Sequence, residues 1–118
     1  MTGCDVNQRS ADGSTALHYA CEFGRIARTK MLVEKGASVN IVNDEGVSPL
    51  HVCARFGHDI ISKFIIESGA DVNLQTNEGH SALHLAAYRG FLNVVRTLCE
   101  NNANVNLMDL NGRTALHV

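Results

Sequence analysis

Histidine is the residue type whose spacing in this sequence most suggests chemistry. Copies recur every 33 residues, at His18, His51, His84 and His117. Imidazole is a common zinc ligand, and four of them could complete a tetrahedral site. Equivalent positions on packed helices lie roughly 8–10 Å apart, however, whereas each zinc–nitrogen bond is about 2 Å long. Histidines on successive units therefore cannot share one ion, and we expect them to have a structural role.

No other pattern in the sequence indicates catalysis. The chain has no G-x-S-x-G nucleophile elbow, no phosphate-binding G-x-x-x-x-G-K loop and no H-E-x-x-H zinc motif. Cys4, Cys21, Cys53 and Cys99 form no C-x-x-C pair, and scattered thiols of this kind usually behave as buried hydrophobes. We therefore predict a protein that is not an enzyme, needs no metal or cofactor, and occupies a reducing intracellular compartment, cytoplasmic, nuclear or both.

Composition narrows the class of partner. Apolar residues make up 45% of the 118 residues, which is typical of a folded domain. The formal charge of −2 shows no basic excess suited to a phosphate backbone, so we expect no nucleic-acid partner. The longest apolar stretches span only a few residues, so we also expect no membrane span.

The 33-residue period extends well beyond histidine. The same step joins leucines, glycines and asparagines, namely Leu17, Leu50, Leu83 and Leu116; Gly13, Gly46, Gly79 and Gly112; and Asn7, Asn40, Asn73 and Asn106. No insertion or deletion interrupts the register. Residues that repeat in this way belong to the fold, so recognition should depend on the columns that differ.

Each repeated unit should contain two short helices. Side-chain oxygens suited to helix N-caps recur at Thr15, Ser48, Ser81 and Thr114. Residues suited to left-handed helix ends follow twice in each unit, first at Gly24, Gly57 and Gly90, then at Gly36, Gly69 and Asn102. Between these ends, Ile61, Ile65 and Ile66 show the spacing of three and four that marks an amphipathic helix.

The period and its core segments resemble the ankyrin repeat. The segments that carry the resemblance are Thr15-Ala16-Leu17-His18, Ser48-Pro49-Leu50-His51 and Ser81-Ala82-Leu83-His84, which match a T-P-L-H core. The resemblance covers essentially the whole chain. It implies an all-α repeat solenoid of stacked helix-turn-helix units with β-hairpin-like finger loops. It also implies that the repeated histidines and asparagines bond the fingers.

The register divides the chain into units. We assign residues 1–9 to the tail of a preceding repeat, 10–42 to repeat 1, 43–75 to repeat 2, 76–108 to repeat 3 and 109–118 to a truncated repeat 4. The first residues align with the segment from Gly36 to Asn40, and the last copy stops inside its first helix. We therefore expect the chain to be a segment of a longer repeat region, with further ankyrin repeats in the parent protein.

The resemblance also implies a function. Ankyrin-like arrays usually bind a partner protein or peptide on the concave face, formed by finger tips and first helices. Carried onto the columns that differ here, this predicts contacts at Glu22, Phe23, Asp44, Glu45, Arg55, Phe56, Glu78, His80, Tyr88, Arg89 and Arg113. Because aromatic and arginine residues stand beside acidic finger tips, we expect a mixed apolar and basic peptide. The alternative is a structural spacer within a larger multidomain protein.

Some of these positions allow a second interpretation. Phe23 and Phe56 either contact a partner or pack against neighbouring fingers. Arg28 stands where later copies have Ile61 and Val94, so its stem either lies along the surface or its charge meets an acidic group on a preceding repeat. In both cases we expect the second helix of repeat 1 to be the least protected.

Three further polar residues complete the candidates. Asn73 follows Asp71-Val72 and lies eight positions after Ile65, a pattern that resembles asparagine-hydroxylase substrates among ankyrin-like repeats. The alternative for Asn73 is a purely structural role. His58 and His80 fall on no repeated column of histidines, and we expect both to be exposed and unpaired.

Overall fold

The computed structural model describes residues 6–115. Within that range the chain forms six short helices: α1 (Ala16–Glu22), α2 (Ile26–Glu34), α3 (Pro49–Phe56), α4 (Asp59–Glu67), α5 (Ala82–Arg89) and α6 (Leu92–Glu100). Helices α1, α3 and α5 contact one another in order and form a first layer, while α2, α4 and α6 form a second. The stack measures 47 × 26 × 21 Å. The predicted all-α repeat solenoid is confirmed.

A short finger precedes each first-layer helix. We name them finger 1 (residues 10–14), finger 2 (43–47), finger 3 (76–80) and finger 4 (109–113). In each finger the backbone N–H of the first residue donates to the carbonyl of the fifth, at 2.8 to 3.0 Å. Residues 6–115 contain no strand. The N–H of the fourth residue, a glycine, also donates to the carbonyl of the first, so the hairpin-like finger is a tight turn closed by two backbone hydrogen bonds.

The first-layer helices begin at the predicted caps. The hydroxyl oxygens of Ser48 and Ser81 accept the backbone N–H groups of His51 and His84, each at 3.3 Å. These bonds satisfy donors that have no partner inside the helix. Pro49 occupies the first helical position, where its missing N–H has no cost.

Left-handed residues end the helices. Gly57 and Gly90 are the C-caps of α3 and α5, both with φ of 75°. Helix α1 ends slightly differently, because Phe23 is its C-cap and Gly24 is the left-handed residue that follows. Asn102, with φ of 68°, is the one non-glycine residue between 6 and 115 that has a positive φ. Its predicted role at the end of α6 is confirmed.

The repeated leucines lie at the centre of the core. Leu17, Leu50 and Leu83 are each at most 3% exposed. Leu17 packs in one apolar cluster with Ile61 and residues of α3, while Leu50 and Leu83 share the next cluster. The core is thus a row of clusters along the stack, in which each unit covers the apolar face of its neighbour.

The repeated histidines connect each unit to the next. In every described copy, Nδ1 accepts the backbone N–H of the helix cap at 3.0 to 3.1 Å, the pairs being Thr15 with His18, Ser48 with His51, and Ser81 with His84. Because Nδ1 is an acceptor, Nε2 carries the proton. It donates to a carbonyl of the following finger at 2.8 to 3.0 Å, on Val47, His80 and Arg113 respectively. The predicted structural role is confirmed, and the finger supported is that of the next unit. His117 lies outside the described residues.

The repeated asparagines do not bond the fingers, so that prediction is wrong. Asn40 Nδ2 donates to the carbonyl of Gly69 at 3.1 Å, and its Oδ1 accepts the N–H of Asp71 at 2.7 Å. Asn73 Oδ1 accepts the N–H of Asn104 at 2.7 Å. Asn40 and Asn73 each follow a second-layer helix, and their partners lie in the equivalent loop of the next unit. The column therefore joins the loops that follow successive second-layer helices.

His58 and His80 both have neighbours, which corrects the prediction that they are exposed and unpaired. His58 is half-buried, and its Nε2 lies 3.0 Å from the carbonyl oxygen of Glu22 in the preceding unit. His80 Nε2 lies 3.5 Å from Asp109 Oδ2. The prediction failed because these contacts are made between units, across 36 and 29 residues, and leave no local pattern.

Candidate protein-interaction surface

A groove lies between the first-layer helices and fingers 2, 3 and 4. Its wider part has a volume of about 320 Å³ and is lined by the sequence-predicted residues Arg55, Glu78, His80, Tyr88, Arg89 and Arg113, with His84 and Leu85. A narrow extension of about 60 Å³ continues past Glu45 and Val47. The two parts share Arg55, Glu78, His80 and Leu85. We call this continuous surface the finger groove.

The helix side of the finger groove is formed by the last turns of α3 and α5. Arg55 belongs to α3, while Tyr88 and Arg89 end α5. Positive charge is favourable at a helix C-terminus, where carbonyl groups are unsatisfied. The Tyr88 side chain is 72% exposed. Neither arginine forms an ion pair or a side-chain hydrogen bond within residues 6–115. Their guanidinium donors are therefore accessible to a ligand.

The finger side is organised around a buried carboxylate. Asp109 has a fully buried side chain whose Oδ1 accepts the backbone N–H groups of Asn111 and Arg113, each at 2.9 Å. Its Oδ2 accepts from Arg113 Nε at 3.3 Å and lies 3.5 Å from His80 Nε2. These hydrogen bonds, led by the backbone N–H of Arg113, hold the pKa of Asp109 below its ordinary value. The ionised Asp109 thus positions Arg113 and His80 at the groove.

Backbone bonds between fingers set the shape of the groove. The N–H of Asn77 donates to the carbonyl of Glu45, and the N–H of Leu110 donates to the carbonyl of Glu78, both at 3.0 Å. The glycines of fingers 2 and 3 allow this approach, since a Cβ on Gly46 would lie 2.9 Å from the nitrogen of Asn77 and a Cβ on Gly79 would lie 2.8 Å from the nitrogen of Leu110. Glu45 and Glu78 are exposed, and neither forms an ion pair within the described chain.

Four predicted contact residues do not line the finger groove. Asp44 lies at the tip of finger 2, and Glu22 is half-buried in α1. Phe23 is 63% exposed and lies beside the open end of the stack, next to α1. Phe56 is 42% exposed and stacks on His58, with ring centroids 6.5 Å apart and an angle of 26° between planes. Of the three aromatic residues predicted as contacts, only Tyr88 therefore lines the finger groove.

Sequence reasoning missed Leu85, which lines both parts of the finger groove. Leu85 is half-buried and supplies apolar surface between the arginines and the fingers. A signal was present, because its column differs between copies, with Tyr19 and Val52 at the equivalent positions. The sequence analysis did not use this signal, because an apolar residue in the middle of an amphipathic helix is more typical of the core.

Two classes of site have no counterpart in the part of the chain that the structure describes. No group of three or more His, Cys, Asp or Glu side chains is arranged to hold a metal ion among these residues. Within residues 6–115, every helix is too short to cross a membrane.

Helix pairs that recur every 33 residues, with a finger before each pair, define a helical repeat solenoid with a groove along its fingers. A family model described as ankyrin repeats (3 copies) matches residues 1–76 and 59–118. The chain belongs to the ankyrin repeat family, whose members generally mediate protein–protein interactions and are typically not enzymes. A segment of 37 residues is 51% identical to an ankyrin repeat protein of Acanthamoeba polyphaga mimivirus. The match covers 31% of this chain and 5% of that protein.

Proposed function

We propose that this chain binds a partner protein or peptide through the finger groove. The observation that carries the proposal is the cluster of Tyr88, Arg55 and Arg89, which is exposed and has no ion pair within the described residues. Tyrosine and arginine are the residue types most enriched among binding hot spots. Recognition of a partner accounts for an exposed aromatic ring in the same groove as two arginines without ion pairs.

The groove is suited to binding because it is formed before a ligand arrives. Fingers 1 to 4 are joined in sequence by backbone hydrogen bonds of 3.0 Å. The histidines His18, His51 and His84 tie each of the later fingers to the helix layer. A surface held in this way loses little conformational freedom on association, so more of the contact energy contributes to affinity.

Tyr88→Ala tests the proposal. The 118-residue chain would be used to capture a partner from extracts of its source cells, and the affinity of the purified pair measured by calorimetry. We expect the variant to weaken binding by about 1–2 kcal/mol or more, because a hot-spot ring is removed. Its melting temperature should not change, since the ring is largely exposed.

Arg96→Ala is the matched control, because Arg96 is an exposed residue of the second-layer helix α6. It should leave the affinity unchanged. Equal affinities for the wild-type chain and Tyr88→Ala would contradict the proposal. So would a hydrogen-exchange footprint of the partner that is confined to α2, α4 and α6.

A structural spacer is the second candidate function, and the exposed surface of α1 favours it. Ala16 and Tyr19 are exposed on α1, whereas the equivalent Pro49 and Val52 are buried by the preceding unit. That face is suited to receive another ankyrin repeat. A spacer would be insensitive to Tyr88→Ala and would instead lose attachment to its parent protein on Tyr19→Glu.

Hydroxylation of Asn73 is a further proposal for this chain. Asn73 is exposed, and within the described residues its side chain makes one hydrogen bond, to the N–H of Asn104. Asn40 makes two, and it follows Ser38 rather than an acidic residue. An enzyme that must extract the side chain therefore has fewer bonds to break at Asn73. Co-expression with an asparagine hydroxylase should add one oxygen atom to the peptide containing Asn73 and none to that containing Asn40.

The cysteines support an intracellular location as part of this proposal. Cys21, Cys53 and Cys99 are unpaired, and the first two are buried. Burial raises the pKa of the Cys53 thiol well above its ordinary value, so this thiol is inert. Unpaired thiols are typical of reducing compartments.

A further inference from the structure

We infer that the finger groove takes an acidic segment of its partner, with a carboxylate side chain lying among Arg55, Arg89 and Arg113. The inference rests on the proposed function and specifies its ligand. It reverses the sign of charge expected from the acidic finger tips alone. We infer an acidic ligand because arginines outnumber carboxylates in the wide part of the groove.

Three guanidinium groups and one carboxylate line the wide part of the groove. The carboxylate is Glu78, and the cations are the three arginines. His84 adds no charge, because its Nδ1 accepts the Ser81 N–H while its Nε2 donates to the Arg113 carbonyl. Of the other acidic tips, Glu45 lines only the narrow extension and Asp44 lines neither part. The wide part therefore has an excess of positive charge.

Asp109 does not reverse this balance. Its side chain is fully buried, and its Oδ2 accepts a hydrogen bond of 3.3 Å from Arg113 Nε. That bond engages Nε and leaves both terminal guanidinium nitrogens without a partner in the described chain. Even when Asp109 is counted against Arg113, Arg55 and Arg89 still outnumber Glu78. Planar guanidinium groups bind carboxylates through paired hydrogen bonds.

The apolar surface beside the arginines specifies the rest of the ligand. Leu85 lines both parts of the groove, and the exposed ring of Tyr88 stands at its edge. A volume of about 320 Å³ holds more than one carboxylate. We therefore assign the site to a segment in which an Asp or Glu neighbours an aliphatic or aromatic residue. The positive charge of the groove is local, because the chain as a whole carries a net charge of −2.

A random library of short peptides displayed on beads tests the inference directly. The immobilised probe is the 118-residue chain, at low ionic strength, where exposed charge pairs are least screened. We expect retained peptides to be enriched in Asp and Glu beside apolar residues. For the best such peptide, synthesised and titrated alone, the Arg55→Ala/Arg89→Ala double variant should bind about tenfold more weakly or worse.

Arg28→Ala/Arg96→Ala is the matched control, because it removes the same charge from exposed positions on α2 and α6. It should bind the peptide as the wild-type chain does. Replacement of the acidic residues of the peptide by Asn and Gln should cost as much as the double variant. Glu78→Gln should strengthen binding, because it removes the one carboxylate of the wide part.

The contrary outcomes separate this inference from the function on which it rests. Retained peptides rich in Lys and Arg, still weakened by Tyr88→Ala, would overturn the acidic ligand and leave the binding groove standing. Preferential binding of a single-stranded oligonucleotide over the acidic peptide would overturn the assignment to a protein partner. Retention of no peptide above a blank surface would contradict both the inference and the proposed function.

Discussion

The repeated histidine performs a task that few side chains could share. It must accept a hydrogen bond from the N-cap backbone and donate one to the next finger, from a buried position. A neutral imidazole has one acceptor and one donor nitrogen on opposite sides of a rigid ring, which meets both demands. Burial also lowers the pKa of His18, and it lowers the pKa of His51 to about 4. The neutral form is therefore the structural one.

This residue-scale chemistry predicts acid sensitivity. The folded-state pKa of His51 lies below the unfolded value of about 6.5, so the unfolded chain binds the proton first. The free energy of unfolding should fall as the pH drops below about 6.5 and should stop falling, as far as His51 is concerned, below about 4. The loss should be on the order of 3 kcal/mol. Urea denaturation at a series of pH values measures it.

Carboxylates act in a separate pH window and provide the internal comparison. The Ser10 hydroxyl lowers the pKa of Asp12 below its ordinary 3.8, so the stability due to this carboxylate is lost only at still lower pH. NMR titration of His51 should give a midpoint near 4 in the folded protein. A midpoint above 6, or a free energy of unfolding that is constant between pH 6.5 and 4.5, would show that His51 is not buried as described.

At the scale of elements, the turn between the two helix layers shows how one unit fits the next. Gly57 ends α3, and the ring of Phe91 from the following unit lies directly against it. Gly90 ends α5 with nearly the same backbone angles, φ 75° and ψ 23° against φ 75° and ψ 25°. Among residues 6–115, no atom outside the glycine and its chain neighbours lies within 4 Å of a Cβ built on Gly90. Within the described residues, the same local conformation therefore packs against a neighbouring ring at Gly57 and against none at Gly90.

Alanine at these two glycines separates conformation from packing. Gly90→Ala should cost about 1–2 kcal/mol, from the left-handed backbone alone. Gly57→Ala should cost about 1–3 kcal/mol more, because its Cβ would lie 2.8 Å from the Phe91 ring and force it to move. Denaturant titration of both variants gives the difference. Equal losses in the free energy of unfolding would mean that the Phe91 ring moves aside without cost and that this contact between units is weak.

At the scale of the whole molecule, stability depends on position in the stack. Helix α4 packs against both α2 and α6, whereas α2 has a second-layer neighbour on one side only. Arg28 of α2 is exposed, while Ile61 in the same column is 2% exposed. Each unit buries its apolar face only against a neighbour. The first described unit, which contains α2, therefore has fewer stabilising contacts than the unit that contains α4.

Hydrogen exchange should therefore be faster in α2 than in α4. Equivalent amides, such as Met31 and Phe64, differ mainly in their neighbours and can be compared residue by residue. The expected difference reflects local opening of the first unit while the others stay folded. Slower exchange in α2 would contradict this and would favour an interaction of Arg28 that holds the helix. Arg28→Ile serves as the check, because it should slow exchange in α2 if only the apolar contact is missing.

The sequence predicted part of the candidate site, because the 33-residue period separates the columns that repeat from the columns that differ between copies. Arg55, Tyr88 and Arg89 were found because they occupy columns that differ between copies on the first helix. Leu85 was missed because an apolar helix residue looks like core, and Phe56 was included although its ring stacks on His58. Exposure of a given column depends on the next unit, which a pattern within one unit does not describe.

The sequence by itself determined the unit, its helices and their ends, because caps, glycines and apolar spacing act over a few residues and repeat without interruption. Only the tertiary structure decided which atoms join the units. Asn40 and Asn73 bond the next loop rather than the finger, the histidines bond the next finger, and Asp109 of finger 4 lies against His80 of finger 3. These contacts span about one period of the chain, so they depend on how the units stack, and stacking is settled by packing between distant residues rather than by local preference.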